Sequence, residues 1–291
     1  MNWHETIEYI RTKPEYDWLV KNAYFDKDLV KNIENFISSD EFEETLRIIK
    51  DLCPGKTPKI LDVGSGNGIS AIAFALNDVE VVVIEPDPSD TIGVGAIKFL
   101  INHFQLKNIT VFQNIAEEVV FEEEVFDIVY VRQALHHAQN LDKFVKQTTK
   151  YLKRGGFFFS VRDHFIYNEK DKQLFLDTHP LHKFYGGENA YTLEEYVSAM
   201  TKSGLEIVTL YHHFDSVINY APLTIMEKKG LADKRKNDTE NFLKNKFGIL
   251  ANIPFLPLIA NLYMNRKYGE VYDETRIPGR LCSIIARKKD S

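Results

Sequence analysis

The sequence predicts an α/β protein built on a mostly parallel sheet, and three observations carry this. Five short apolar runs, at 60–63, 81–84, 109–112, 128–131 and 157–161, alternate with stretches of helical periodicity at about 68–77, 92–105 and 141–152. Runs without polar alternation mark strands buried on both faces, and strand–helix alternation marks a parallel sheet. The first run ends in a glycine cluster, Gly64, Gly66 and Gly68, just where a helix begins. A last apolar run, 281–286, reads as a terminal strand.

The remaining elements follow in order. Residues 1–50 read as helical, with Leu29, Val30, Ile33, Phe36 and Ile37 at helical spacing. Tyr16, Trp18, Tyr24 and Phe25 in this region are expected to form part of a lid. Residues 163–190 read as irregular and are rich in His, Asp, Tyr and Gly. Thr192 and Glu195 form a capping-box pattern that starts a helix over 192–203, and Gly204 stands where a C-cap is expected. A strand follows at 205–211. The stretch 216–280 is too long for a hairpin loop, which predicts an inserted helical subdomain. The expected organisation is therefore a lid at 1–50, a core at 51–215 and 281–291, and an insert at 216–280.

Composition bounds the function. The chain has 291 residues, with 36 Lys+Arg against 42 Asp+Glu and a net charge of −6. A hydrophobic fraction of 44% with 27% charged residues belongs to a globular chain and excludes disorder as the main state. The acidic balance argues against a generic nucleic-acid binder, so no nucleic-acid partner is expected. The insert has a net charge of +4, which leaves −10 on the rest. Two cysteines, Cys53 and Cys282, make neither a disulfide framework nor a Cys-based zinc site, and they fit a reduced, cytoplasmic compartment. The N-terminal residues lack the apolar core of a signal peptide, and no window reaches the roughly 18 apolar residues of a membrane span. The nearest stretch, 247–264, carries Pro254 and Pro257. It reads as a buried hairpin or a homodimer contact, with contact to a membrane surface through Lys244, Lys246, Arg266 and Lys267 as the alternative.

The chemistry centres on KILDVGSGNG at 59–68. Glycines let the backbone turn sharply and approach a ligand, and the helix N-terminus behind them offers free N–H groups. Glu85 stands at the end of the next strand, where a carboxylate can accept from both hydroxyls of a ribose. Together they predict a nucleoside cofactor. The dinucleotide fingerprint needs a third glycine where this chain has Ile69, which opposes an NAD-dependent oxidoreductase. No Lys-Ser/Thr follows the glycines, which excludes a P-loop.

Asp62 followed by G-x-G-x-G resembles motif I of the class I S-adenosylmethionine-dependent methyltransferases. Further segments are similar in order and spacing across about 100 residues. They are EPD at 85–87, NIAEEVVF at 114–121, FDIVYVRQALHH at 126–137 and YLKRGGFFF at 151–159. The LHH ending resembles the ubiquinone/menaquinone-type branch. DTHPLHKFYGGENAY at 177–191 and DSVINYAPL at 215–223 fall outside the general pattern and look like a bacterial subgroup with a substrate-side insert. The resemblance implies a Rossmann-like seven-stranded sheet of order 3-2-1-4-5-7-6 with an antiparallel last strand. It implies S-adenosylmethionine as cofactor and S-adenosylhomocysteine as product.

Residue roles follow from the resemblance. Gly64, Ser65, Gly66 and Gly68 pass the methionine and ribose moieties, and Asp62 orients the loop. Glu85 holds the ribose, with Pro86 and Asp87 beside the adenine. Where the family often has an Asp against the adenine, this chain has Ile115, which leaves recognition to Asn114 and the backbone of Ile115 and Ala116. Arg132 and Gln133 lie at the methionine end, with Arg132 pairing the carboxylate.

A hydroxyl acceptor calls for a general base. The candidates are His136, His137, His164 with Asp163, His179 and His182. His164 or His136 is preferred as the base, and His137 also reads as a residue packing the strand end. The histidine spacing matches no zinc or iron pattern, so no metal is expected. The loop 179–191, with His179, His182 and Tyr185, is expected to wall the acceptor pocket. Tyr24 would cover it from the lid, and Tyr220 and Pro222 from the insert. The expected function is methylation of a small-molecule acceptor, at an oxygen of a sugar or other metabolite. The alternatives are an RNA/tRNA methyltransferase and an NAD-dependent oxidoreductase.

Overall fold

The computed structural model describes residues 1–116, 118–248, 253 and 255–290. The chain opens with four helices, α1 (Trp3–Ile10), α2 (Asp17–Asn22), α3 (Leu29–Ile37) and α4 (Asp40–Leu52). The alternating core follows: β1 (Lys59–Val63), α5 (Ile69–Leu76), β2 (Glu80–Ile84), α6 (Val94–Phe104), β3 (Ile109–Phe112), β4 (Phe126–Arg132), α7 (Leu141–Tyr151) and β5 (Leu152–Ile166). Then come α8 (Glu169–Thr178), α9 (His182–Tyr185), β6 (Tyr191–Thr192), α10 (Leu193–Lys202) and β7 (Leu205–Tyr211). Helices α11 (Val217–Tyr220), α12 (Ile225–Phe247) and α13 (Leu256–Tyr268) precede the last strand, β8 (Leu281–Lys288).

The sheet runs β3-β2-β1-β4-β5-β8-β7. Strands β1 to β5 pair in parallel, and β8 is antiparallel to both β5 and β7. This is the expected order with one added strand, because the two-residue β6 pairs with the end of β5. The fold is thus the parallel α/β sheet that the apolar runs predict, in the Rossmann-like order that the resemblance implies. Successive residues of the central strands feed opposite cores, since side chains alternate along a strand. Ile60, Ile128, Tyr130 and Phe159 pack with α3, α4, α5 and α6. Leu61, Val63, Val129, Val131 and Phe158 pack with α7 and α10. Strands covered on both faces explain why their sequences are apolar throughout.

Two regions differ from expectation. Residues 163–190 are not irregular, since β5 continues to Ile166 and α8 and α9 follow. Helix α8 buries only Phe175, so it leaves no apolar stripe in the sequence, and Asn168 caps it locally. Between β7 and β8, α11 packs on α4, while α12 and α13 pack on each other. Part of the 247–264 segment, at 249–252 and 254, lies outside the described residues. No helix among the described residues is long and apolar enough to cross a membrane.

The strand order reverses between β1 and β4. In open α/β sheets, ligands bind at the carboxyl ends of the strands beside such a switch point.

Candidate active site

The turn from β1 into α5 is held from below. Gly64 N–H donates to the Ile84 carbonyl at 2.8 Å, and Gly68 N–H to the Ser65 carbonyl at 2.9 Å. Gly64, Gly66 and Gly68 all have positive φ, at 70°, 57° and 82°. Asp62 is buried below the turn and accepts from Ser65 Oγ at 3.0 Å. Asn67 Nδ2 donates to the Tyr24 carbonyl at 2.7 Å, which ties the loop to the N-terminal helices.

Glu85, at the end of β2, is also buried. One carboxylate oxygen accepts from Gly66 N–H at 2.6 Å and the other from Asp87 N–H at 2.8 Å. The two bonds fix its plane, and each oxygen keeps a lone pair for another donor. Burial pushes both acids up to about 7, against the lowering effect of these hydrogen bonds.

A cavity of about 560 Å³ opens over these groups. Val63 lines it at the end of β1 and Gly64 and Gly66 just after, Glu85 and Pro86 after β2, Ile115 and Ala116 after β3, and Gln133, Ala134 and His137 after β4. Trp3 of α1 lines it from the other side. A Cβ added at Gly66 would meet no protein atom within 4 Å, so the space beside this glycine is open to the cavity. Volume, glycine turn and the Glu85 carboxylate in the lining fit a nucleoside cofactor, as cofactor sites run to about 300–1,000 Å³.

The roof is built from distant segments. Trp3 packs on Phe25 at 5.7 Å and on Tyr185 at 4.9 Å between ring centroids. Ile7, Ile10, Ile92 and Leu181 form a small core of their own beneath it.

Behind His137 lies a buried polar cluster. His136 Nδ1 meets Asp163 Oδ1 at 2.9 Å, and its Nε2 faces Glu188 Oε2 at 3.6 Å. Asp163 also accepts from Ser160 Oγ at 2.6 Å and from the His136 N–H at 3.1 Å. Burial alone would lower His136, but the bonds to Asp163 and Glu188 outweigh it and raise it to about 9. His164 Nδ1 bonds the Gly279 carbonyl. Burial and the charge on His136 hold His164 well below the usual imidazole range. His179 Nδ1 stands 3.7 Å from Glu188, and Tyr185 donates its hydroxyl to the same carboxylate.

A model of the methyltransferase domain matches residues 37–210. The chain belongs to the methyltransferase domain family. It is 31% identical over 114 residues to the uncharacterized methyltransferase YcgJ of Bacillus subtilis, covering 37% of this chain and 41% of that one. It is 26% identical to the phosphoethanolamine N-methyltransferase of Plasmodium falciparum over 226 residues, 74% of this chain and 77% of that one. The crystal structure of YcgJ superposes with a TM-score of 0.53 at 18% identity, over 86% of this chain and all of that one. Phosphoethanolamine N-methyltransferase 2 of Haemonchus contortus, solved with phosphomonomethylethanolamine and S-adenosylhomocysteine, superposes with a TM-score of 0.51 at 21% identity. That match covers 86% of this chain and 53% of the worm chain.

The structure separates the residues singled out from sequence. Gly64, Gly66, Glu85, Pro86, Ile115, Ala116, Gln133 and His137 meet at one cavity. Ser65, Gly68 and Asp62 shape the turn beneath it. Arg132 does not reach out for a carboxylate of a ligand. Its Nε and Nη2 bond Glu41 at 2.7 and 3.2 Å, and its Nη1 bonds Gln133 at 3.1 Å. Asn114 accepts the N–H of Ile115 at 2.8 Å, which removes that backbone donor from adenine recognition. Asp87 accepts the Ser89 N–H in a local turn.

His136 and His164 do not line the cavity, because their ring nitrogens turn inward to Asp163, Glu188 and Gly279. His179 and Tyr185 join that inner cluster, and Tyr185 also supports Trp3. His182 is half-buried, and its Nδ1 makes no hydrogen bond among the described residues. Tyr24 packs on Phe36 at 5.4 Å, beside the loop. Tyr220 lies on α11 with Lys228 over its ring at 4.6 Å, and none of the described residues of 216–280 lines the cavity. Trp18 of the expected lid is exposed, whereas Trp3, Glu188 and Glu41 went unnoticed in the sequence. A helix-spaced apolar face through Trp3, Ile7 and Ile10 was the available signal for Trp3.

Proposed function

We propose that this protein is an S-adenosylmethionine-dependent methyltransferase that transfers a methyl group to a hydroxyl oxygen of a small-molecule acceptor, such as a sugar or comparable metabolite. One observation carries the reading. A single cavity joins the Gly64–Gly66 turn and the Glu85 carboxylate to the His137 ring.

When bound, the cofactor supplies a methyl group already activated on a sulfonium. The protein has to hold, align and exclude water. Glu85 would accept from the ribose hydroxyls, its plane fixed by Gly66 and Asp87. The turn residues and Gln133 would receive the methionine end, and Ile115 and Ala116 would flank the adenine. Trp3 and its aromatic neighbours keep water out. A carbonyl only accepts, so the 3.0 Å contact of His137 Nδ1 with the Gly187 carbonyl places the ring proton on Nδ1. Nε2 of His137 then carries a lone pair able to take the acceptor's hydroxyl proton. Desolvation and the neighbouring charge on His136 hold His137 below the usual imidazole range, so it stays neutral and ready to accept. The relatives named for phosphoethanolamine act through nitrogen by their names, and nitrogen transfer is the competing outcome for this chain. The free thiols Cys53 and Cys282 agree with a cytoplasmic location.

Thermal unfolding tests the cofactor. S-adenosylhomocysteine at about 100 times its dissociation constant should add roughly 2.7 kcal/mol of stability. Glu85→Ala should remove most of the shift. A shift with NADH and none with S-adenosylhomocysteine would overturn the reading.

A further inference from the structure

We infer that His136, His164 and Glu188 form a binding site for a first-row divalent cation of the zinc–iron class, directly behind the wall of the cofactor cavity. This goes beyond methyl transfer and does not depend on it. The histidines lie on different elements, one after β4 and one near the end of β5, and Glu188 comes from the loop before β6. A search for local ligand spacing therefore passes over them.

Three features of the geometry converge. First, one ligand atom from each residue lies within 4.8 Å of the other two, and His136 and Glu188 are buried. Metal–ligand bonds of about 2.0–2.2 Å put neighbouring donors roughly 3.4 Å apart in a tetrahedron. The 3.6 Å edge from His136 Nε2 to Glu188 Oε2 already matches this. The two edges to His164 lie within 4.8 Å.

Second, both imidazoles have their outer nitrogens engaged. His136 Nδ1 meets the Asp163 carboxylate, which Ser160 holds in turn. His164 Nδ1 meets the Gly279 carbonyl. Metal-ligating histidines are oriented by this kind of outer contact, to a carboxylate or a backbone carbonyl, with the other nitrogen left for the metal. A histidine serving only as an ion-pair partner does not require it on two neighbouring rings.

Third, two carboxylates, Asp163 and Glu188, are buried together. Buried charges are paired or coordinate metals. A divalent cation that displaces the proton from His136 balances both. Two nitrogens and a carboxylate oxygen suit zinc or iron(II) and leave coordination positions open. The His136 ring lies 4.1 Å from that of His137, so the cation would stand one ring away from the cavity.

Cobalt(II) is the probe. The full chain, stripped with EDTA and dialysed, is titrated with Co²⁺ alone and followed by its visible absorption. One equivalent should bind with bands of a low-coordinate nitrogen–oxygen site, and Zn²⁺ should displace it. Glu188→Gln and His164→Gln should each abolish these bands. Asp163→Asn should weaken binding by about 10–100-fold while circular dichroism stays unchanged. Failure of the wild-type chain to bind Co²⁺, or equal binding by wild type and Glu188→Gln, overturns the site. Both readouts stand whether or not S-adenosylhomocysteine binds.

Discussion

Glu85 shows how one buried side chain serves the cavity at a cost to the fold. Its ordinary value is 4.5, and burial pushes it to about 7 in the folded chain. Between these values the folded protein binds the proton more tightly than the unfolded chain does. The stability from this group is therefore full below pH 4.5 and is lost as pH rises through 7, by about 1.4 kcal/mol per pH unit between the two values. Glu85→Gln keeps the size, gives up one of the two N–H bonds at every pH and lacks the titration. Melting curves from pH 5 to 8 should show the wild type losing stability relative to Glu85→Gln as pH rises, and a constant gap between the two would refute this. The position of Glu85 beside the cavity is legible in the sequence because a strand end and a glycine turn fix it locally. Arg132 was misread for the opposite reason. Its partner, Glu41, lies 91 residues earlier, and nothing local announces the pair. The pair spans α4 and the end of β4, and Arg162 approaches the same carboxylate at 3.5 Å. It ties the N-terminal helices to the sheet rather than reaching for a ligand.

The β1–α5 turn is the element on which the site rests, and its glycines have unequal tasks. A Cβ at Gly64 would stand 2.6 Å from Ala134 Cβ, at a φ of +70°. A Cβ at Gly66 would meet no protein atom. Gly64→Ala therefore carries both backbone strain and overpacking and should cost about 2–3 kcal/mol of stability in urea unfolding. Gly66→Ala carries the strain alone and should cost about 1 kcal/mol, while suppressing the S-adenosylhomocysteine shift by filling ligand space. Equal losses of stability would contradict this division. Elements such as this turn, the apolar strands and the Thr192 capping box are legible because their signals are short-range. Helices α8 and α9 and strand β6 are not. α8 hides a single aromatic residue, α9 has four residues, and β6 has two, so none accumulates a period. Glu188 stayed hidden for a related reason, since it meets the candidates His136, Asp163 and His164 only after three separate segments have folded together.

At the scale of the whole molecule, the cavity depends on parts of the chain that are not its core. The sheet supplies the floor through its switch point, but the roof is α1 resting on α9 and on the loop after β2. The apolar cluster that holds it, Ile7, Ile10, Ile92 and Leu181, is small and separate from the two large cores. Units held by few buried contacts open at less than the global free energy of unfolding. The roof should thus open as one body to admit cofactor and acceptor, with Trp3 leaving together with Tyr185. The basic helices between β7 and β8 stand apart, since the cavities along α12 and α13 share no lining residue with the cofactor cavity. Hydrogen exchange separates the two regions. With S-adenosylhomocysteine present, amides of α1 and of 182–185 should gain protection together, while those of 225–247 and 256–268 stay unchanged. Protection of 225–268 with none at 1–25 would show that the cavity is closed from the other side. It would return the selection of the acceptor to the insert.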